Sequence, residues 1–212
     1  VMDPSVALSA RLAAEPGSRF APSLLEIQVL GLAIARAVGE PLPQYLSRSL
    51  WQPLGARPAE MNVGPDGAPV LTCCVRATAR DWLRLGLLVL EGGSVDGQPL
   101  VPTPWVDEMG RHMPQSRHDG TRLRLAWPHD PAAPGAPAKP FREPDTQFFT
   151  GEGGQRLYIA KGADLAILRL GAPVADWDES VLPNLVSTHL DVQAPVPRRP
   201  GGDLSGLPLP PI

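Results

Sequence analysis

The segment Gly151-Glu152-Gly153-Gly154-Gln155 combines glycines with one carboxylate and one amide side chain, groups that could bind or act on a ligand. Glycines let the main chain approach a ligand closely, so their N–H groups could bind the negative charge that develops on a carbonyl oxygen. Glu152 could act as an acid or a base if it faces a cleft. The alternative is a bulged strand entry, in which the glycines adopt positive φ angles and Glu152 lies at a solvated loop tip.

Ser23 is a second candidate, because its hydroxyl stands between Pro22 and the apolar, periodic segment that starts at Leu24. It could orient a substrate. The alternative is the N-cap of a helix, and this structural role is the one that the position after Pro22 favours.

The sequence predicts no metal site and no cofactor. The two cysteines, Cys73 and Cys74, are adjacent, and two ligands fall short of a zinc site. The four histidines show no metal-like pairing, and they lie at His112, His118, His129 and His189.

In chain order, most of the predicted helices come before the predicted strands, and these elements would position the candidate residues. Apolar residues at helical spacing and their capping residues predict helices over 23–38, 42–50, 78–90, 103–109 and 176–190, the last interrupted by Pro183 near its first turn. An alternating pattern predicts a strand over 122–127. Two apolar runs, 155–160 and 164–170, predict a hairpin joined near Gly162, with Ile159, Leu165 and Ile167 among its buried side chains. About three strands after a run of helices indicate an α+β fold. The chain is accordingly divided into a mainly helical portion (1–120), a portion with strands and a final helix (121–192), and a Pro-rich tail (193–212).

Composition excludes several functions. The net charge is −3, whereas binding of nucleic acid is typical of basic proteins. No apolar run approaches the ~18 residues of a membrane span. No signal peptide is visible, and both a periplasmic and a cytoplasmic location stay open.

Four segments, taken in order, resemble the class C β-lactamase-related family, which belongs to the β-lactamase, penicillin-binding protein and esterase superfamily of serine hydrolases. They are Pro16-Gly17-Ser18-Arg19-Phe20 with Val29 to Gly39, Trp51-Gln52-Pro53-Leu54-Gly55, Ala77 to Gly86 with Gly92-Gly93, and Gly151 to Leu170. The resemblance implies a β-lactamase/transpeptidase-like fold, an antiparallel sheet flanked by helices plus a helical subdomain, of which this chain holds the C-terminal portion.

In that family a serine in a Ser-x-x-Lys motif attacks the carbonyl, a Tyr-x-Asn motif shuttles a proton, and a Lys-Thr-Gly strand positions the substrate. This chain contains no Ser-x-x-Lys. Pro22-Ser23-Leu24 stands where Tyr-Ser-Asn is expected, and Phe149-Thr150-Gly151 replaces Lys-Thr-Gly. The resemblance therefore brings Pro22 and Phe149 to one cleft without the usual proton shuttle and cation.

Two functions follow from the resemblance. The chain could be part of a serine hydrolase acting on small amide or ester substrates, completed by an N-terminal segment or a second chain that carries Ser-x-x-Lys. Alternatively, it could be an inactive pseudo-hydrolase that serves as a structural or regulatory subunit.

Overall fold

The computed structural model describes residues 9–12, 14–15, 23–64, 69–71, 75–110, 124–125, 141–172, 174 and 177–190. The predicted features at Pro22, Cys73, Cys74, three of the four histidines and the tail over 193–212 lie outside these residues. None of the described helices is long and apolar enough to cross a membrane.

Helix α1, the first whose two ends lie within the described residues, spans Leu24–Val38 and confirms the predicted segment. The Ser23 hydroxyl accepts the N–H of Glu26, whose carboxylate in turn accepts the N–H of Ser23, a complete capping box. The helix ends at Gly39, which adopts a left-handed φ of 73° that glycine tolerates best.

A second helical stretch follows directly, with α2 at Leu42–Leu46 continuing into a π-helical turn at Ser47–Trp51. Two short antiparallel ribbons flank the next helix. The first pairs β1 (Glu60–Met61) with β2 (Val75–Arg76), and the second pairs β3 (Ser94–Val95) with β4 (Gln98–Pro99).

Helix α3, Ala79–Leu90, is the helix that packs against the main sheet. Its N-cap is Thr78, as predicted. Gly86 makes the close packing feasible, since a Cβ there would lie 3.0 Å from Cδ1 of Leu157. Helix α4, Thr103–Gly110, comes next and adds Val106 to the same core.

Within the described residues, the main sheet has four antiparallel strands in sequential order, one more than the sequence predicted. They are β5 (Arg124–Leu125), β6 (Gln147–Gly151), β7 (Gln155–Ala160) and β8 (Leu165–Arg169). The predicted hairpin is confirmed, because β7 and β8 pair from Arg156↔Arg169 to Ala160↔Leu165. Of its predicted core residues, Ile159 is fully buried, whereas Leu165 and Ile167 are half-buried.

Each face of the sheet carries its own apolar cluster. Val89, Val106 and Ile159 form one, against which Leu90, Val101, Met109 and Phe149 pack. Phe141, Phe148 and Tyr158 form the other, with Ile167 and Leu182 against them. The molecule is therefore an α+β fold in which helices cover both faces of an antiparallel sheet, as the sequence predicted.

The last helix of the described residues, α5, spans Val181–Leu190, so it begins later than the predicted start at 176. Asp178 organises the preceding turn, where its carboxylate accepts the N–H of Ser180 at 2.9 Å. Pro183 does not interrupt the helix, because it occupies the first turn, where a backbone N–H has no intrahelical partner to lose.

Candidate functional site

The glycine turn, Gly151 to Gly154, connects β6 to β7 and is the centre of the candidate site. Glu152–Gly154 form a short 3-10 turn in which Gly153 has a φ of 73° and Gly154 a φ of 80°. The predicted need for positive φ angles is thus confirmed. A role of the turn's N–H groups in binding an oxyanion stays a prediction.

A half-open cleft of about 310 Å³ lies beside this turn. It is lined by Thr150, Gly151, Gly154, Arg156, Arg169, Val174 and Trp177. Three residues that the sequence singled out, Thr150, Gly151 and Gly154, are therefore brought together around one space. Two of the lining residues are arginines, of which Arg156 is paired with the carboxylate of Glu179.

Arg156 is held at the cleft by a buried carboxylate. Its Nε donates to Oε1 of Glu179 at 2.7 Å, and Glu179 is 2% exposed. The second oxygen of Glu179 accepts the hydroxyl of Tyr158 at 2.6 Å. The indole N–H of Trp177 lies 3.1 Å from both that oxygen and the Tyr158 hydroxyl oxygen. A carboxylate that would be costly to bury alone is thus satisfied by three donors.

Tyr158 does not have the properties of a general base. Burial, and after it the hydrogen bond and charge of Glu179, raise the pKa of its phenol well above the ordinary value near 10. The phenol therefore stays protonated at neutral pH and acts as a hydrogen-bond donor to Glu179.

Arg169 ties the turn to the segment that follows β8. Its Nη1 donates to the carbonyl oxygen of Gly154, and its Nη2 donates to that of Ala172 at 3.1 Å. The guanidinium carbon also lies 4.2 Å from the centre of the Trp177 ring, a cation–π contact.

Phe149 does not line this cleft. Its side chain packs against the cluster of Val89, Val106 and Ile159 on the opposite face of the sheet. The reason is geometric: adjacent side chains on a strand point to opposite faces, and Thr150 is the one directed to the cleft. The predicted proximity of Phe149 and Pro22 stays a prediction, since Pro22 lies outside the described residues.

The remaining candidates take different places. Ser23 caps α1, and Leu24 is largely exposed at 57%. Gln155 begins β7 with an exposed side chain, and the backbone of Glu152 lies within the glycine turn. No cluster of three or more His, Cys, Asp or Glu side chains fit to hold a metal ion occurs within the described part of the chain.

Sequence reasoning missed the four residues that shape the cleft beside the glycines, namely Arg156, Arg169, Trp177 and Glu179. The sequence did hold a signal for the two arginines. Arg156 and Arg169 occupy paired positions on the two strands of the predicted hairpin, so their side chains lie on the same face of the sheet. Their partner Glu179, 23 residues after Arg156, could not be identified from local patterns.

Comparison with known proteins places the chain among β-lactamase-like folds. A family model described as Beta-lactamase matches residues 5–171. A proposed 6-aminohexanoate-dimer hydrolase from Bacillus anthracis is structurally similar, with a TM-score of 0.64 and 20% identity over 88% of this chain and 46% of that one. A β-lactamase from Mycobacterium bovis gives a TM-score of 0.60 and 19% identity over 84% of this chain and 66% of that one.

These likenesses confirm the β-lactamase/transpeptidase-like fold. A proposed β-lactamase from Bacteroides dorei DSM 17855 is also similar, with a TM-score of 0.56 and 17% identity over 89% of this chain and 63% of that one. The chain thus spans between 46% and 66% of the length of these neighbours. A search of curated protein sequences gives no significant match.

Proposed function

Because this chain belongs to the β-lactamase family, we propose that it is part of a serine hydrolase that acts on amide or ester bonds by acyl transfer. The observation that carries the proposal is the family match over residues 5–171, within which Thr150 and Gly151 border a cleft. In this family the strand with those two residues lies beside the reacting bond.

In the proposed enzyme the nucleophile belongs to polypeptide outside these 212 residues. A serine hydroxyl needs a nearby base to become nucleophilic, and this chain has no Ser-x-x-Lys. A chain that spans 46% of a structural neighbour leaves room for that motif elsewhere in the protein. The main-chain N–H groups of Glu152, Gly153 and Gly154 in the glycine turn, and of Gln155 directly after it, would be the candidate donors to the oxyanion.

A second candidate function, an inactive pseudo-hydrolase with a structural or regulatory role, has an observation of its own in favour. Phe149 occupies the position of the family's lysine, and its side chain packs into the apolar cluster on the opposite face from the cleft. Pro22 at the expected tyrosine position offers no ionisable group. Both changes weaken proton transfer, which acyl transfer requires.

The experiment compares two preparations treated with a fluorophosphonate and with a penicillin probe. One is the 212-residue chain, and the other is the protein purified from its natural source, each measured by intact mass. We expect no adduct on the chain and one adduct on the source protein, at a serine followed three residues later by lysine. A stoichiometric adduct on the 212-residue chain would refute the proposal. Absence of an adduct from both preparations would favour the pseudo-hydrolase.

A further inference from the structure

Strand pairing of Gly151 with Gln155 closes the ends of the glycine turn, but Gly153 and Gly154 carry no side chain that could fix its middle. Gly153 and Gly154 both adopt left-handed φ angles, and a Cβ on Gly153 would meet no atom within 4 Å. Glycine also loses more backbone freedom on ordering than any other residue. A contact from outside the turn to its peptide units would therefore restrict it further.

Among the described residues, Arg169 reaches the turn from outside. It projects from β8, two strands away from β6, and donates through Nη1 to the carbonyl oxygen of Gly154. Its other terminal nitrogen donates to the carbonyl oxygen of Ala172. A planar guanidinium that binds two carbonyls fixes both their distance and their direction, which a flexible ammonium group would not do.

The guanidinium of Arg169 is itself held in place by an aromatic ring. It stacks on the Trp177 ring at 4.2 Å, and Trp177 is anchored through its indole N–H to Glu179 and Tyr158. Those two residues are 2% and 1% exposed. A continuous series of contacts therefore runs from the buried carboxylate of Glu179 through Trp177 and Arg169 to Gly154.

We infer that Arg169 is a positioning residue for the main-chain groups of the glycine turn and that Trp177 acts through it. This inference rests on the proposed acyl-transfer function, in which that turn faces the reacting carbonyl. Arg169 touches the turn and not the reacting atoms, so its effect is on the geometry of the donors. A displacement of about 1 Å in such donors is enough to lower a rate by roughly 10²-fold.

The test uses the whole source protein with Arg169→Met and Arg169→Lys. The matched control is Arg76→Met, which removes the same charge from an exposed pair with Glu60. Backbone order parameters of residues 151–154, measured by ¹⁵N relaxation, should fall from about 0.85 to below about 0.6 in Arg169→Met and stay unchanged in the control. With an amide or ester substrate, kcat should fall about 10²-fold while KM changes less than about twofold, and Arg169→Lys should restore part of kcat because it can still bind one carbonyl.

Each outcome decides the inference. Unchanged order parameters in folded Arg169→Met would overturn it, and so would a loosened turn with unchanged kcat. If Arg169→Met fails to fold, Trp177→Phe takes its place, because it keeps a ring beneath the guanidinium but loses the anchoring N–H. This variant should loosen the turn to a smaller extent, and an unaltered turn would count against the inference. An unsubstituted protein without turnover would instead refute the proposed function, while the order parameters would still decide the role of Arg169.

Discussion

The hydroxyl of Tyr158 lies 2.6 Å from Oε2 of Glu179, although the two residues come from a central strand and from the turn before the last helix. Both are almost completely buried. This contact attaches the segment between β8 and α5 to the sheet, and it places Trp177 over the cleft. The shape of the candidate site therefore depends on a buried polar network as well as on the strand that carries Thr150.

Removal of the Glu179 carboxylate should destabilise the fold strongly. Glu179→Ala leaves Arg156, Tyr158 and Trp177 without their shared acceptor, and one buried partner lost in this way costs about 3–5 kcal/mol. Glu60→Ala, which breaks the exposed pair with Arg76, should cost less than about 1 kcal/mol. Urea unfolding followed by circular dichroism measures both, and equal losses would show that the Glu179 network contributes no more than a surface pair.

The raised pKa of Tyr158 predicts a loss of stability at alkaline pH. Its folded pKa lies above the unfolded value near 10, so the folded state holds the phenol proton more tightly. The stabilisation is fully present below pH 10 and decreases as the pH rises beyond it. Tyr158→Phe should be less stable than the natural protein at pH 8, and the gap should narrow above pH 10. A gap that is constant between pH 8 and pH 11 would contradict this.

Phe149→Lys should not restore a functional cation. The side chain at this position packs against Val89, Val106 and Ile159, so an ammonium group would enter an apolar cluster at a cost of about 2–4 kcal/mol. Phe149→Leu keeps the site apolar and should cost about 1 kcal/mol. Thermal unfolding of the two variants distinguishes them. A lysine variant as stable as the leucine variant would mean that the side chain can turn toward the cleft.

Gly93 should tolerate no side chain. Its φ is 95°, and a Cβ would lie 2.1 Å from the carbonyl oxygen of Val101, a backbone atom that cannot move aside alone. Gly93→Ala should therefore destabilise the fold by more than about 3 kcal/mol. Gly97 is the control, because its φ of 76° carries the same strain but nothing lies within 4 Å of its Cβ. Gly97→Ala should lower the free energy of unfolding by about 1 kcal/mol. A similar loss in both variants would mean that backbone strain, and not the clash with Val101, determines the effect.

The sequence by itself determined the local elements. Ser23 and Glu26 cap α1, Gly39 ends it, and the apolar runs on either side of Gly162 form paired strands. Such features are encoded in a few neighbouring residues, since capping and periodicity act within one or two turns. The start of α5 was predicted five residues too early, at 176 instead of Val181, because the local pattern before Pro183 did not fix where the helix begins.

Only the tertiary structure decided what the candidate site contains. The motif led to Phe149 and the glycines, but strand alternation directs Phe149 to a core cluster and Thr150 to the cleft. The arginines meet Glu179 and Trp177 because the register of β7 with β8 sets them side by side and the chain after β8 folds back across the sheet. Contacts between residues so far apart in the chain depend on packing, which no local pattern encodes.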